Sequence, residues 1–291
     1  MVAKLPMTFN RVHPLMAGVF GHIDDADGKR TVRVGGSGFF VTPSLFITAR
    51  HVSRDLFRTD PGRFDELDRR SERYFHLPHS VSLFQPATAG TPTSVIWSIT
   101  RSWDSPVTDI CMMEAQPDYA ASSEKNARPL SGFLGWALNP PTVGEQVILC
   151  GLPEAKVQIG QGLGFNGAAV AQPATVTEVF PERRDCGMYS FPGFTVDQEI
   201  EGGFSGGPVI WRDQLCGVVS GASFGTSYIA SLWPLLLTAF ERPDQGQKVE
   251  TLSDLFEKRE LVSDDWPALK HQIAWDIDES GRKVAKLRPP A

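Results

Sequence analysis

The sequence predicts an all-β protein, and three observations carry that reading. Short runs of β-branched and aromatic residues recur along the first 230 positions, far too short for helices of ordinary length. Twenty-seven Gly and twenty-two Pro fall mainly between those runs, as turn punctuation does. The 291 residues, 41% hydrophobic and 21% charged, are enough to bury a substantial core. Many short strands with this punctuation indicate sandwich or barrel architecture.

Taken in order, Val32 to Val34 and Gly38 to Val41 read as strands around a glycine turn, and Leu45 to Thr48 follows. The charged stretch Arg54 to Arg73 reads as a loop or short helix inserted after that strand. Val81 to Phe84, Ser94 to Ile99, Ile110 to Glu114, Gln146 to Cys150, Ala174 to Val179 and Met188 to Phe191 are further strands. Pro208 to Trp211, Gln214 to Ser220 and Ser227 to Ala230 complete the series. The pattern then changes. Ser231 to Phe240 suits a helix, with Pro234 in its first turn, where proline is tolerated. Thr251-Leu-Ser-Asp-Leu-Phe-Glu opens a short amphipathic helix, and Gln272 to Ile277 with Lys283 to Leu287 form a terminal hairpin. Residues 1–240 are read as one unit and 241–291 as an appendage too short for a typical separate domain.

A net charge of −6 gives no basic footprint, so nucleic acid is not an expected partner. No run approaches the roughly 20 apolar residues of a membrane span, and no secretory leader is evident. The expectation is a cytoplasmic protein with no membrane partner. Cys111, Cys150, Cys186 and Cys216 show no metal-ligand spacing. The spacing leaves a disulfide open, while a reducing compartment argues against one. No metal and no cofactor are expected.

Gly202-Gly203-Phe204-Ser205-Gly206-Gly207-Pro208 is the most informative segment. Its glycines permit a sharp turn that exposes a serine hydroxyl and lets consecutive N–H groups converge on one point. In acyl transfer that point holds an oxyanion, here between the amides of Gly203 and Ser205. Read alone, the segment equally suits a glycine-rich hairpin that happens to contain a serine. A serine nucleophile needs a base. Among six histidines His51 stands apart, in Phe46-Ile-Thr-Ala-Arg-His-Val directly after an apolar strand. Asp109 opens the run Asp109-Ile-Cys-Met-Met and is the candidate to orient that imidazole.

Together these segments resemble the trypsin-like (chymotrypsin-fold) serine peptidase superfamily. Thr48-Ala-Arg-His51, Asp109-Ile-Cys and Gly203-Phe-Ser205-Gly-Gly-Pro are similar to the histidine, aspartate and serine segments of that family, in its order. The likeness extends toward bacterial HtrA-type peptidases through Gly36-Ser-Gly-Phe-Phe-Val-Thr-Pro, Val143-Gly-Glu-Gln-Val-Ile-Leu-Cys-Gly-Leu-Pro and Asp197-Gln-Glu-Ile. It covers approximately Val32 to Ser231, and no PDZ-sized segment follows.

The resemblance implies two six-stranded antiparallel β-barrels with a His51/Asp109/Ser205 triad between them. It implies protein or peptide substrates cleaved through an acyl-enzyme without a cofactor. Ser220 matches the family serine near the aspartate, and Ser220, Gly221 and Ala222 are small enough to leave a pocket open. Glu199 falls where trypsin-like enzymes place a pocket acid. The HtrA-like register instead leaves it solvated on a loop, and both readings stand. Phe204 replaces the aspartate that receives a new N-terminus in trypsin, so activation by that salt bridge is not expected. Regulation by a protein partner is one expectation. The alternative is a binding or scaffold protein that keeps the fold without catalysis.

Overall fold

The structure is a computed structural model and describes residues 12–24, 30–57, 81–86, 94–105, 107–118, 135–153, 156–159, 163–166, 168–185, 189–242, 248–277 and 283–287. The first half contains β1 (Met16–Asp24), β2 (Arg30–Phe40), β3 (Leu45–Ala49), α1 (Arg50–Phe57), β4 (Val81–Pro86), β5 (Ser94–Asp104) and β6 (Ile110–Pro117). These six strands close a barrel in the order β1-β2-β3-β6-β5-β4. β1 closes it, pairing with β2 on one side and β4 on the other. Gly18, Gly21 and His22 interrupt its apolar alternation, which hides this strand in the sequence.

The glycine turn expected between Val34 and Gly38 does not exist. β2 runs unbroken, and its register against β1 slips between Val19 and Phe20, leaving Gly35 as the extra residue of a bulge. A glycine in a strand therefore marks a bulge here rather than a reversal. Phe39, Phe40, Phe46, Ile47, Trp97, Met112 and Met113 fill the barrel core. Phe40 packs against Phe46 and Trp97, with ring centroids 5.1 and 4.4 Å apart.

The second half contains β7 (Gly135–Trp136), β8 (Gln146–Gly151), the hairpin β9 (Lys156–Ile159) and β10 (Leu163–Asn166), then β11 (Val170–Phe180) and β12 (Gly193–Val196). β13 (Pro208–Trp211), β14 (Gln214–Ser223) and β15 (Thr226–Ser231) follow. Pairing runs β13-β8-β11-β12-β15-β14, and a β13–β14 ladder returns the sheet to its start, so this barrel also closes on six strands. β7 adds in parallel to the first residues of β14, beyond the end of its ladder with β15. Val147, Leu149, Val176, Phe194, Val196, Val209, Val219 and Ile229 form a separate core inside it.

Two expected elements are corrected. Residues 189–191, the described part of the strand expected at Met188 to Phe191, form turn structure, and the strand lies just beyond, at β12. Tyr189 and Phe191 are apolar because they are buried against other rings, not because they pair in a sheet. Over Ser231 to Phe240, only Trp233–Leu237 is helical, as a 3-10 turn. Leu232, Trp233, Leu235 and Leu236 are all buried, so the segment has no polar face to solvate a longer helix. Thr238 turns extended, and β16 (Ala239–Arg242) pairs with β17 (Lys248–Thr251).

After β17 come α2 (Leu252–Glu257), α3 (Trp266–Leu269) and the hairpin of β18 (Ile273–Ile277) with β19 (Lys283–Leu287). Thr251 and Asp254 form a reciprocal capping box at the start of α2. Phe256 on α2 packs between Trp136 and Trp266, with centroids 5.4 Å away in each case. The Trp136 amide donates to the Val262 carbonyl, and the Leu138 amide to the Asp265 carboxylate. The C-terminal residues are thus fastened to the second barrel at β7.

Cys111, Cys150 and Cys216 are buried free thiols, and burial holds the Cys150 thiol up at about 12. Cys186, and most of the charged stretch Arg54 to Arg73, lie outside the described residues. No described helix is long and apolar enough to cross a membrane.

Candidate active site

His51 does not lie in a strand or loop but in the first turn of α1, which leaves β3 without a connecting residue. β3 pairs with β6 so that Ala49 faces Ile110. That register sets Asp109 beside the helix start, where the Arg50 amide donates to the Asp109 carbonyl at 3.1 Å. The Asp109 carboxylate then serves two purposes. Oδ1 accepts the His51 amide at 3.1 Å, supplying a helix N-terminus that has no acidic residue of its own. Oδ2 lies 2.7 Å from His51 Nδ1.

Burial on its own pulls the His51 pKa down, but the hydrogen bond and charge of Asp109 outweigh it. The net position is above the ordinary histidine value. With Nδ1 committed to a carboxylate, Nε2 is the nitrogen left to accept a proton. Asp109 Oδ2 also receives the hydroxyl of Ser220 at 2.5 Å, from β14 of the other barrel. Asp109 is itself buried, so these donors replace the water it gives up.

Ser205 sits on the loop between β12 and β13. Gly203 and Gly206 have φ of +98° and +86°, a left-handed backbone that glycine adopts without strain. A Cβ on Gly206 would also fall 2.1 Å from the Ser37 carbonyl oxygen and 2.9 Å from the Ala49 amide. The loop is therefore pressed against the first barrel two residues before His51. Phe204 points the opposite way and is buried in the second barrel's core, so an apolar anchor occupies the position of trypsin's aspartate.

The amides around Ser205 divide into used and unused groups. Those of Phe204, Gly206 and Gly207 donate to the carbonyls of Glu201, Val219 and Phe204. Among the described residues no hydrogen bond uses the N–H of Gly203 or Ser205. Both residues are half-buried. No hydrogen bond joins the Ser205 hydroxyl to His51 among the described residues. Such contacts are often long before substrate binds.

Ser220, Gly221 and Ala222 follow one another along β14. A Cβ on Gly221 would meet the Tyr189 hydroxyl at 3.1 Å, and Tyr189 stacks on Tyr228 with centroids 3.8 Å apart. The Arg184 guanidinium covers the Tyr228 ring at 4.9 Å. Burial pushes the Tyr189 phenol up. Glu199 is exposed, and its carboxylate accepts the Gly225 amide at 2.8 Å, in the turn between β14 and β15. Beside it, the buried Ser227 hydroxyl donates to the Gln198 carbonyl and accepts from the Ile200 amide. Tyr189, Tyr228 and Ser227, which the structure places beside Gly221 and Gln198, carried no sequence signal of that placement. Tyr189 stood in a predicted strand, and aromatic residues in such runs are read as core.

Among the described residues no group of three or more His, Cys, Asp or Glu side chains is placed to hold a metal ion.

Two closed six-stranded barrels, with a His–Asp pair on one and a glycine-flanked serine on the other, are the trypsin-like double-barrel fold. The chain belongs to the trypsin-like peptidase domain family, whose model matches residues 36–219. Among solved structures it is similar to the Rv3671c protease of M. tuberculosis. The active form is 19% identical, with a TM-score of 0.45 over 77% of this chain and 79% of that one. The inactive form is 19% identical, with a TM-score of 0.44 over 77% of this chain and 86% of that one. No curated protein matches the chain.

Proposed function

We propose that this protein is a serine endopeptidase that cleaves a protein or peptide substrate through an acyl-enzyme. The observation that carries the reading is the pair of amides, Gly203 and Ser205, unspent among the described residues, on a serine loop pressed against the first barrel two residues before His51. Ser205 Oγ attacks the substrate carbonyl while His51 Nε2 takes its proton. Asp109 keeps His51 in the tautomer with Nδ1–H and stabilises the imidazolium. The two amides receive the oxyanion, a contact stronger in the transition state than with the planar carbonyl. His51 then returns its proton to the leaving amine, and a water activated by the same nitrogen hydrolyses the ester.

Family membership supports peptidase chemistry, and the His51–Asp109–Ser220 chain supports the serine class. Buried Phe204 leaves no acid to receive a cleaved N-terminus, which favours control by a partner protein over zymogen processing. The test is labelling of purified protein with a fluorophosphonate, in parallel with Ser205→Ala. Labelling of the wild type alone is the expected result. Equal labelling of both removes Ser205 as nucleophile, and labelling of neither leaves two readings, a latent enzyme awaiting its partner or a fold retained for binding.

A further inference from the structure

Ser37 lies in the Gly36-Ser37-Gly38 stretch of β2, on the opposite barrel from Ser205, and is fully buried. Every polar atom it has is engaged at the junction of the barrels. Its amide donates to the Ser205 carbonyl at 2.8 Å. Its hydroxyl donates to the Gly203 carbonyl at 2.5 Å and accepts the Leu152 amide at 2.8 Å. Its own carbonyl accepts the Thr48 hydroxyl at 2.7 Å. Thr48 is itself on β3, three residues before His51.

We infer that Ser37 is a positioning residue for the oxyanion site: its hydroxyl holds the Gly203 carbonyl turned away from the site, so that the Gly203 and Ser205 amides converge. This rests on the peptidase reading above. The physical need is specific. Gly203 is a glycine at φ +98°, in a region where the chain has no side chain to limit rotation. A carbonyl pinned on each side of the Phe204 peptide restricts that rotation, and the pins are the Ser37 hydroxyl and the Ser37 amide. The same hydroxyl satisfies the amide of Leu152, a buried residue in the segment just after β8. One serine thus ties the nucleophile loop, that segment and the first barrel together. The glycine before it is required by close approach, since a Cβ on Gly36 would fall 2.5 Å from the Ser205 carbonyl oxygen.

Loss of a residue that positions an oxyanion site lowers the rate of the chemical step without weakening ground-state binding. The test uses the full chain and a fluorogenic peptide cleaved by the wild type. It compares Ser37→Ala and Ser37→Cys, the second keeping the side-chain shape, with a slightly larger atom, while replacing a strong donor with a weak one. Both variants are expected to lose about tenfold to hundredfold in kcat with KM within about twofold, the scale of a displaced oxyanion donor. Affinity for a peptidyl trifluoromethyl ketone, whose hemiketal carries the oxyanion, should fall in parallel with kcat/KM. Affinity of Ser37→Cys for the cleaved product peptide should remain that of the wild type. If Ser37→Ala does not fold, Ser37→Cys supplies the comparison. Unchanged kcat, or a ketone affinity that does not follow kcat/KM, overturns the inference while leaving the peptidase reading intact. A wild type that neither cleaves nor labels overturns the peptidase reading and this inference with it.

Discussion

In the first barrel, His51 and Asp109 come together through sheet register, on a helix start and a strand start that pair side by side. In the second, Ser205 rides on a loop whose shape comes from backbone hydrogen bonds and two glycines at positive φ. The first arrangement orients side chains, which demands specific residues but tolerates an ordinary backbone. The second aims amides, which demands an unusual backbone and places little demand on side chains apart from the nucleophile. Among the described residues, polar contacts that cross-tie the halves include Ser220 to Asp109 and Ser37 to the Ser205 loop. The proposed acid–base pair and the proposed oxyanion site therefore depend on different kinds of chemical constraint within one fold.

Asp109→Asn is the strongest way to break the first half. An amide in place of the carboxylate favours the wrong tautomer of His51, and kcat should fall about four orders of magnitude. Circular dichroism should show the barrels retained, and turnover within tenfold of wild type would remove Asp109 from the mechanism. The same pair sets a pH dependence. Because His51 lies above the ordinary value of about 6.5, kcat/KM should rise with pH through an acid limb centred above that value. The stability contribution runs the other way. It is fully present below the unfolded histidine pKa and is lost as pH rises through the raised one. An acid limb at or below about 6.5 would contradict the balance assigned to Asp109.

Gly206→Ala tests the second half. Its Cβ would press on the Ser37 carbonyl while the backbone holds φ at +86°, a strain of roughly 1–3 kcal/mol. A loss of about a hundredfold or more in kcat is expected, the scale of a lost oxyanion donor. The His51 ring should keep its titration by NMR, because none of the atoms nearest the added Cβ belongs to His51 or Asp109. Wild-type turnover in this variant would show that the loop is not held by its backbone.

Ser220→Ala sharpens the comparison with the smallest effect. One hydrogen bond to a charged group, worth roughly 1.5–3 kcal/mol, is lost from Asp109 Oδ2, the oxygen that also faces His51 Nδ1. About a tenfold fall in kcat is expected. The acid limb should move to higher pH, since the carboxylate then has one donor fewer and attracts the His51 proton more strongly. An unmoved limb would reduce Ser220 to a packing residue.

Much of this was readable from local pattern. Leu45 to Thr48 and Pro208 to Trp211 are strands close to where short apolar runs and turn residues put them, because a continuous apolar run bounded by turn signals is a local property. The errors fall where one residue type has two physical uses. Gly35 was read as a turn and is a bulge, since a missing Cβ serves both. The apolar run Ser231 to Phe240 suits a helix and is instead a 3-10 turn leading into a strand. An all-apolar segment carries no periodicity to choose between these.

By itself the sequence determined the fold class and nominated His51, Asp109 and Ser205, because chemical identity and chain order reside in the residues. The nearness of Ser220 to Asp109 was implied by the family resemblance, while the tie of Ser37 to the serine loop was decided only in the tertiary structure. Ser37 is 166 residues from Gly203, and Ser220 is 111 from Asp109. Nothing local distinguishes a serine that will meet a distant carbonyl from one that will meet water, because a hydrogen bond needs a partner's position as well as a donor.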